Sequence, residues 1–143
     1  MRVSVGCDHA GFECKQGVIA FLESRGIEVT DHGCYNTDSV DYPDFVHPVG
    51  NDIDLHQADF GIVLCGSGNG VAMTVNKHLS VRCALCWNEE IAQLARAHNN
   101  ANVLSIPARY VSLETACKMV ALFIETAFEG GRHQRRVDKI NLA

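Results

Sequence analysis

Cys65 closes the apolar run Phe60–Cys65 and is followed at once by Gly66-Ser67-Gly68-Asn69-Gly70. Three glycines in five residues let the backbone turn tightly and aim its N–H groups into one concavity. The helical pattern over residues 71–77 adds the positive end of a helix to that cradle. An anion or a developing oxyanion suits such a loop. The pattern is not G-x-G-x-x-G and lacks the lysine of a nucleoside-triphosphate loop, so both of those readings are poor. A thiol set against oriented N–H groups has its thiolate favoured, which opens two roles for Cys65, nucleophile or general base. A C-x5-R phosphatase needs arginine at position 71, where the chain has Val71. The competing reading of Cys65 is one more buried strand cysteine.

Three further groups carry chemistry. Asp8-His9 ends the first β-like run, and His98-Asn99 ends a helical pattern. A histidine beside an amide at a helix C-terminus is placed to shuttle protons, although lone histidines are more often structural. Arg132 and Arg136 are four apart, so on a helix both guanidinium groups reach one side. With Arg109 they form a candidate phosphate grip, and Gly130-Gly131 lets the chain turn towards it. Arg135 then points elsewhere and reads as surface, as a solvated terminal face would also read.

These residues need elements to hold them. β-like runs at residues 2–7, 27–31, 60–65, 81–86 and 102–106 alternate with helical patterns. The helical patterns are 12–25, stopped by Gly26, one capped by Asn88, and 113–128 opened by Ser112. Residues 44–56 fit less well, because Pro48 must sit in a first turn or make a kink. Five strands alternating with helices predict a three-layer, doubly wound, Rossmann-like α/β sheet, mostly parallel, in one domain over residues 1–143. Ligands of such sheets bind beyond the carboxyl ends of the strands. Asp8, Cys65 with the glycine loop, and Arg109 all fall there.

Composition narrows the class. The 143 residues are 47% hydrophobic and 20% charged, which fits a globular core and excludes a disordered or fibrous chain. Twelve basic against seventeen acidic side chains give a net charge of -5, a poor balance for a nucleic-acid binder. No apolar run reaches the roughly 18 residues of a membrane span, and Met1-Arg2-Val3-Ser4-Val5 enters a strand pattern directly, so a cytoplasmic protein is expected. Seven cysteines without a secretory leader read as free thiols. Cys83 and Cys86 form a C-x-x-C on a strand, where i and i+3 point to opposite faces and share no metal. No HExxH or other metal-ligand spacing is present.

The chain resembles the type B ribose-5-phosphate isomerases and the related galactose-6-phosphate isomerase subunits. The resemblance rests on Gly6-Cys7-Asp8-His9-Ala10-Gly11-Phe12, Asp41-Tyr42-Pro43-Asp44, the Cys65–Gly70 loop, Asn76-Lys77, Ala97-His98-Asn99-Asn100-Ala101-Asn102, and the stretch from Gly130 to Val137. It implies a metal-independent, cofactor-free aldose–ketose isomerase acting on a small phosphorylated sugar. On the resemblance Cys65 is the base between C2 and C1, assisted by Ser67, and His98 opens the furanose ring. Asp8 binds or relays a proton, while Asn99 and the amides of Gly66, Gly68, Asn69 and Gly70 hold the enediolate. His9, Arg109, Arg132 and Arg136 are implied phosphate ligands, and Tyr42 is a pocket residue. Members that lack the cysteine use a glutamate just past the loop. Here Val71-Ala72-Met73 offers none. The resemblance further implies a homodimer or homotetramer with the active site shared between chains, the arginine side meeting the Cys65 side across the interface. A hexose-phosphate isomerase and a non-catalytic phosphosugar-binding module are the alternatives.

Overall fold

The computed structural model describes residues 1–142. Its elements are β1 (Arg2–Cys7), α1 (Phe12–Ser24), β2 (Glu28–Asp31), α2 (Tyr42–Asp54), β3 (Phe60–Cys65), α3 (Asn69–Val75), β4 (Cys83–Leu85), α4 (Glu89–Asn99), β5 (Val103–Pro107), α5 (Leu113–Glu125) and α6 (Arg132–Val137). The five strands form one parallel sheet in the order β2-β1-β3-β5-β4. The expected α/β architecture is present, and the order reverses between β1 and β3. That pair is a switch point, where the loops leaving two adjacent strands diverge and leave a crevice.

Alternation along the strands splits the core in two. Val3, Val5, Ile62, Leu64, Leu104 and Ile106 pack with buried residues of α1, α4 and α5, including Leu22, Ala95, Met119 and Phe123. Val63, Cys65 and Val103 face the other way, onto Val46, Val49, Ile53, Val71 and Val75 of α2 and α3. Cys65 therefore closes β3 on the α2/α3 face. Cys83 packs on this second cluster and Cys86 in the first, on opposite sides of the sheet as their spacing predicts.

α2 comes unusually near the sheet. A Cβ at Gly6 would lie 2.2 Å from the carbonyl oxygen of Phe45, which belongs to the α2 backbone and has no rotamer to yield. Gly6→Ala is thus expected to cost about 1–3 kcal/mol by overpacking. Thermal unfolding checks this; an unchanged Tm would mean that α2 shifts freely.

Several boundaries differ from expectation for local reasons. α2 starts at Tyr42 with Pro43 in its first turn, so Pro48 lies within the helix. α3 begins at Asn69 rather than 71. β4 is only three residues long, because Asn102 holds the preceding segment: its side chain accepts from Arg82 N–H at 2.8 Å and its own N–H donates to Arg82 O at 3.0 Å. α5 ends at Glu125, where Thr126 turns extended and its hydroxyl donates to Leu122 O at 2.6 Å. No helix among the described residues is long and apolar enough to cross a membrane.

Candidate active site

A cavity of about 370 Å³ opens at the β1/β3 switch point. Asp8, His9 and Ala10 from the end of β1 line one side, and Cys65, Gly66, Ser67 and Gly70 from the end of β3 line the next. Tyr42 from the start of α2 and Arg109 with Tyr110 beyond β5 complete the wall.

Each residue is held by backbone. Asp8 is 8% exposed, and its Oδ1 accepts from the N–H groups of Ala10 and Gly11 at 2.9 and 3.1 Å. This ties one carboxylate oxygen to the start of α1. His9 Nδ1 accepts from Val40 N–H at 3.2 Å. An accepting Nδ1 places the ring's proton on Nε2, so His9 offers a donor. Cys65 is 5% exposed, and its Sγ accepts from Gly68 N–H at 3.1 Å. Gly68 makes that turn at φ +76°, a left-handed conformation that side chains rarely adopt. Asn69 N–H turns back to Ser67 Oγ at 3.3 Å. The first N–H groups of a helix lack intrahelical partners. With those of Gly68 and Asn69 engaged, Gly70 remains as a donor at the head of α3, on the cavity wall.

Two supports of the loop, Ser105 and Ala108, were not among the expected site residues. Ser105 on β5 is fully buried, and its hydroxyl donates to Gly68 O at 2.6 Å. Ala108 and Arg109 donate their N–H groups to Cys65 O and Gly66 O at 2.9 and 3.1 Å. β5 thus pins the loop from beneath, and the Arg109 backbone joins the loop that its side chain overhangs. Tyr110, largely exposed, also lines the cavity. An isolated serine inside a strand carries no signal until the strand order sets it against the loop.

Burial pushes Cys7 and Cys83 far up from the ordinary thiol range, Cys86 up to about 12 and Cys14 up to about 11. Thiols protonated at neutral pH are poor bases and nucleophiles.

His98, Asn99, Arg132 and Arg136 do not line this cavity. α6 packs against α4, which gathers His98 with Glu129 and His133. Asn99 lines a separate hollow with Asn76, Arg82 and Asn141. Arg132 and Arg136 are both exposed, and Arg136 Nη1 donates to Arg132 O at 3.0 Å. Arg135 is exposed too. A single chain therefore carries the expected residues as two groups, one around Cys65 and one on α4 and α6.

A family model described as Ribose/Galactose Isomerase matches residues 3–140. The ribose-5-phosphate isomerase B of Escherichia coli (strain K12) is 39% identical over 139 residues, 97% of this chain and 93% of that protein. That of Mycolicibacterium paratuberculosis is 44% identical over 140 residues, 96% and 88% of the two chains. Among solved structures, a ribose 5-phosphate isomerase from Thermotoga maritima matches with a TM-score of 0.95 at 47% identity, covering 97% and 96%. Ribose-5-phosphate isomerase B from Mycoplasma genitalium, solved with bound ribulose-5-phosphate, matches with a TM-score of 0.93 at 40% identity, covering 97% and 93%. The match runs from β1 to beyond α6, and so takes in the cavity at the switch point and the α4/α6 group alike: the chain belongs to the Ribose/Galactose Isomerase family.

Proposed function

We propose that this protein interconverts ribose 5-phosphate and ribulose 5-phosphate through an enediolate, with Cys65 as the base. The observation that carries the reading is the seat of Cys65. Its sulfur is anchored by Gly68 N–H in a cavity where an acid, a hydroxyl, a free backbone donor and an arginine already converge. The relative solved with ribulose-5-phosphate supports the same substrate.

The reaction needs three things: a group to open the furanose, a base that moves a proton between C2 and C1, and donors for the enediolate charge. Cys65 takes the C2 proton and returns it at C1. The N–H group of Gly70, with Ser67 Oγ, stabilises the oxyanion where it develops. Asp8 keeps one carboxylate oxygen for the sugar hydroxyls, since its other is tied to α1. His9 donates from Nε2 to the phosphate, and Arg109 supplies charge from the same wall. His98 opens the ring, and Asn99, Arg132 and Arg136 complete the site from a neighbouring chain, which makes the working unit a homo-oligomer with twofold pairing. Separation of the two groups in one chain is what such sharing requires.

The test is ribulose 5-phosphate formation from ribose 5-phosphate, with allose 6-phosphate and galactose 6-phosphate run in parallel. Turnover of the pentose phosphate is expected. Turnover of a hexose phosphate alone would keep the chemistry and replace the substrate.

A further inference from the structure

The packing of α6 on α4 brings together three side chains that the sequence spacing does not single out. Glu129 N–H donates to Ala97 O at 3.0 Å, which sets its carboxylate beside His98, and His133 follows four residues later, near the start of α6. Glu129 Oε2 lies 3.8 Å from His98 Nε2 and 3.4 Å from His133 Nε2. One ligand atom from each of the three residues lies within 4.8 Å of the other two. The imidazoles stack, with centroids 4.3 Å apart and planes 12° from parallel.

We propose that His98, Glu129 and His133 form a binding site for a transition-metal dication of the Zn²⁺ type, and that its occupation silences the enzyme by engaging His98. Two imidazole nitrogens and one carboxylate oxygen are a donor set of three-ligand zinc centres, which keep a fourth position open. Imidazole favours zinc, nickel and copper over magnesium and calcium, which take oxygens. With metal–ligand bonds of about 2.0–2.2 Å, donors in a tetrahedral site stand roughly 3.3–3.6 Å apart. The His133–Glu129 separation of 3.4 Å already meets this, and the His98–Glu129 separation of 3.8 Å must close slightly. The stacked rings must also tilt so that their lone pairs converge. His98 has the room, since its side chain is 36% exposed, whereas that of His133 is 13% exposed and serves as the fixed wall. The silencing rests on the ring-opening role given to His98 above; the metal site does not.

Cobalt(II) is the probe for binding, because the chain also has seven cysteines. Nitrogen and oxygen ligands give tetrahedral visible bands alone, whereas thiolates add sulfur-to-cobalt charge-transfer bands in the near ultraviolet. One cobalt per chain without charge-transfer bands is expected. Loss of an outer-shell partner already weakens metal binding about 10–100-fold, so Glu129→Gln and His133→Ala are each expected to weaken it at least that much. In activity assays Zn²⁺ should inhibit the wild type reversibly on chelation. Glu129→Gln should keep the basal turnover and resist zinc. Charge-transfer bands, or binding unchanged in both variants, would assign the metal to thiols and overturn the site. Binding that depends on Glu129 and His133 while turnover is unaffected would overturn the silencing and the ring-opening role of His98, and leave the site standing.

Discussion

Cys65→Ala is expected to lower kcat for ribose 5-phosphate by about a thousandfold or more, within the range a positioned base supplies, while the sugar phosphate still binds. The fold should tolerate the change. Cys65 sits at the end of β3, and its loss leaves only Gly68 N–H without a partner, at a cavity that water reaches. The loop keeps its other ties, from Ser105 Oγ to Gly68 O and from Arg109 N–H to Gly66 O. The phosphate contacts proposed for His9 and Arg109 are untouched, so KM should move far less than kcat. Cys65→Ser preserves volume and hydrogen bonding but replaces the thiol with a weaker acid, and should lose nearly as much. Single-turnover kinetics with both variants is the check. Substantial turnover in either would remove Cys65 from the base role and turn attention to Asp8.

Lys15→Met is expected to destabilise the fold by about 3 kcal/mol, near the lower end for removing one partner of a buried ion pair. Lys15 is wholly buried, and its Nζ donates to Asp31 Oδ1 at 2.5 Å and to Cys34 O at 2.7 Å. Methionine fills nearly the same volume, so the loss is electrostatic rather than a void. Asp31 keeps the N–H of Gly33 and some solvent, being 28% exposed, which holds the cost towards the low end. At about 2–4 °C per kcal/mol for a chain near this size, Tm should fall by roughly 10 °C. The consequence reaches the site. Lys15 ties the segment after β2 to α1, and that segment pairs with β1 through Cys7 N–H to Gly33 O and Cys34 N–H to Cys7 O. Asp8 and His9 follow directly. The double variant Lys15→Met with Asp31→Asn should recover part of the loss, because it removes the stranded charge. A single variant as stable as wild type would deny the pair any structural role.

Much of this was legible from residue order. The run ending at Cys65 is continuously apolar, so its strand and the loop beyond it could be placed from sequence. Asp8 and Arg109 followed from the rule that parallel strands present their carboxyl ends to ligands. What stayed hidden was set by long-range packing. Ser105 matters because β5 lies beside β3, and strand order is not written in any local pattern. The tautomer of His9 depends on Val40, 31 residues away. Nothing in the sequence marks Lys15 as a core residue, and only the approach of Asp31 explains its burial. Glu129 gave no signal, since His98 and His133 converge on it only through the contact of α6 with α4. Pro48 suggested a first turn or a kink, but Pro43 takes the first turn and Pro48 falls in the helix interior.

One chain is expected to supply the base and another the ring-opening group. Cys65→Ala and His98→Ala chains, each inactive alone, should be co-expressed with different tags and the mixed dimer isolated through both. In a twofold assembly with shared sites, one of the two sites then receives both intact halves, so about half of the wild-type activity per dimer should return. A mixed dimer as inactive as its parents would place Cys65 and His98 in the same chain's site and rule out sharing between chains.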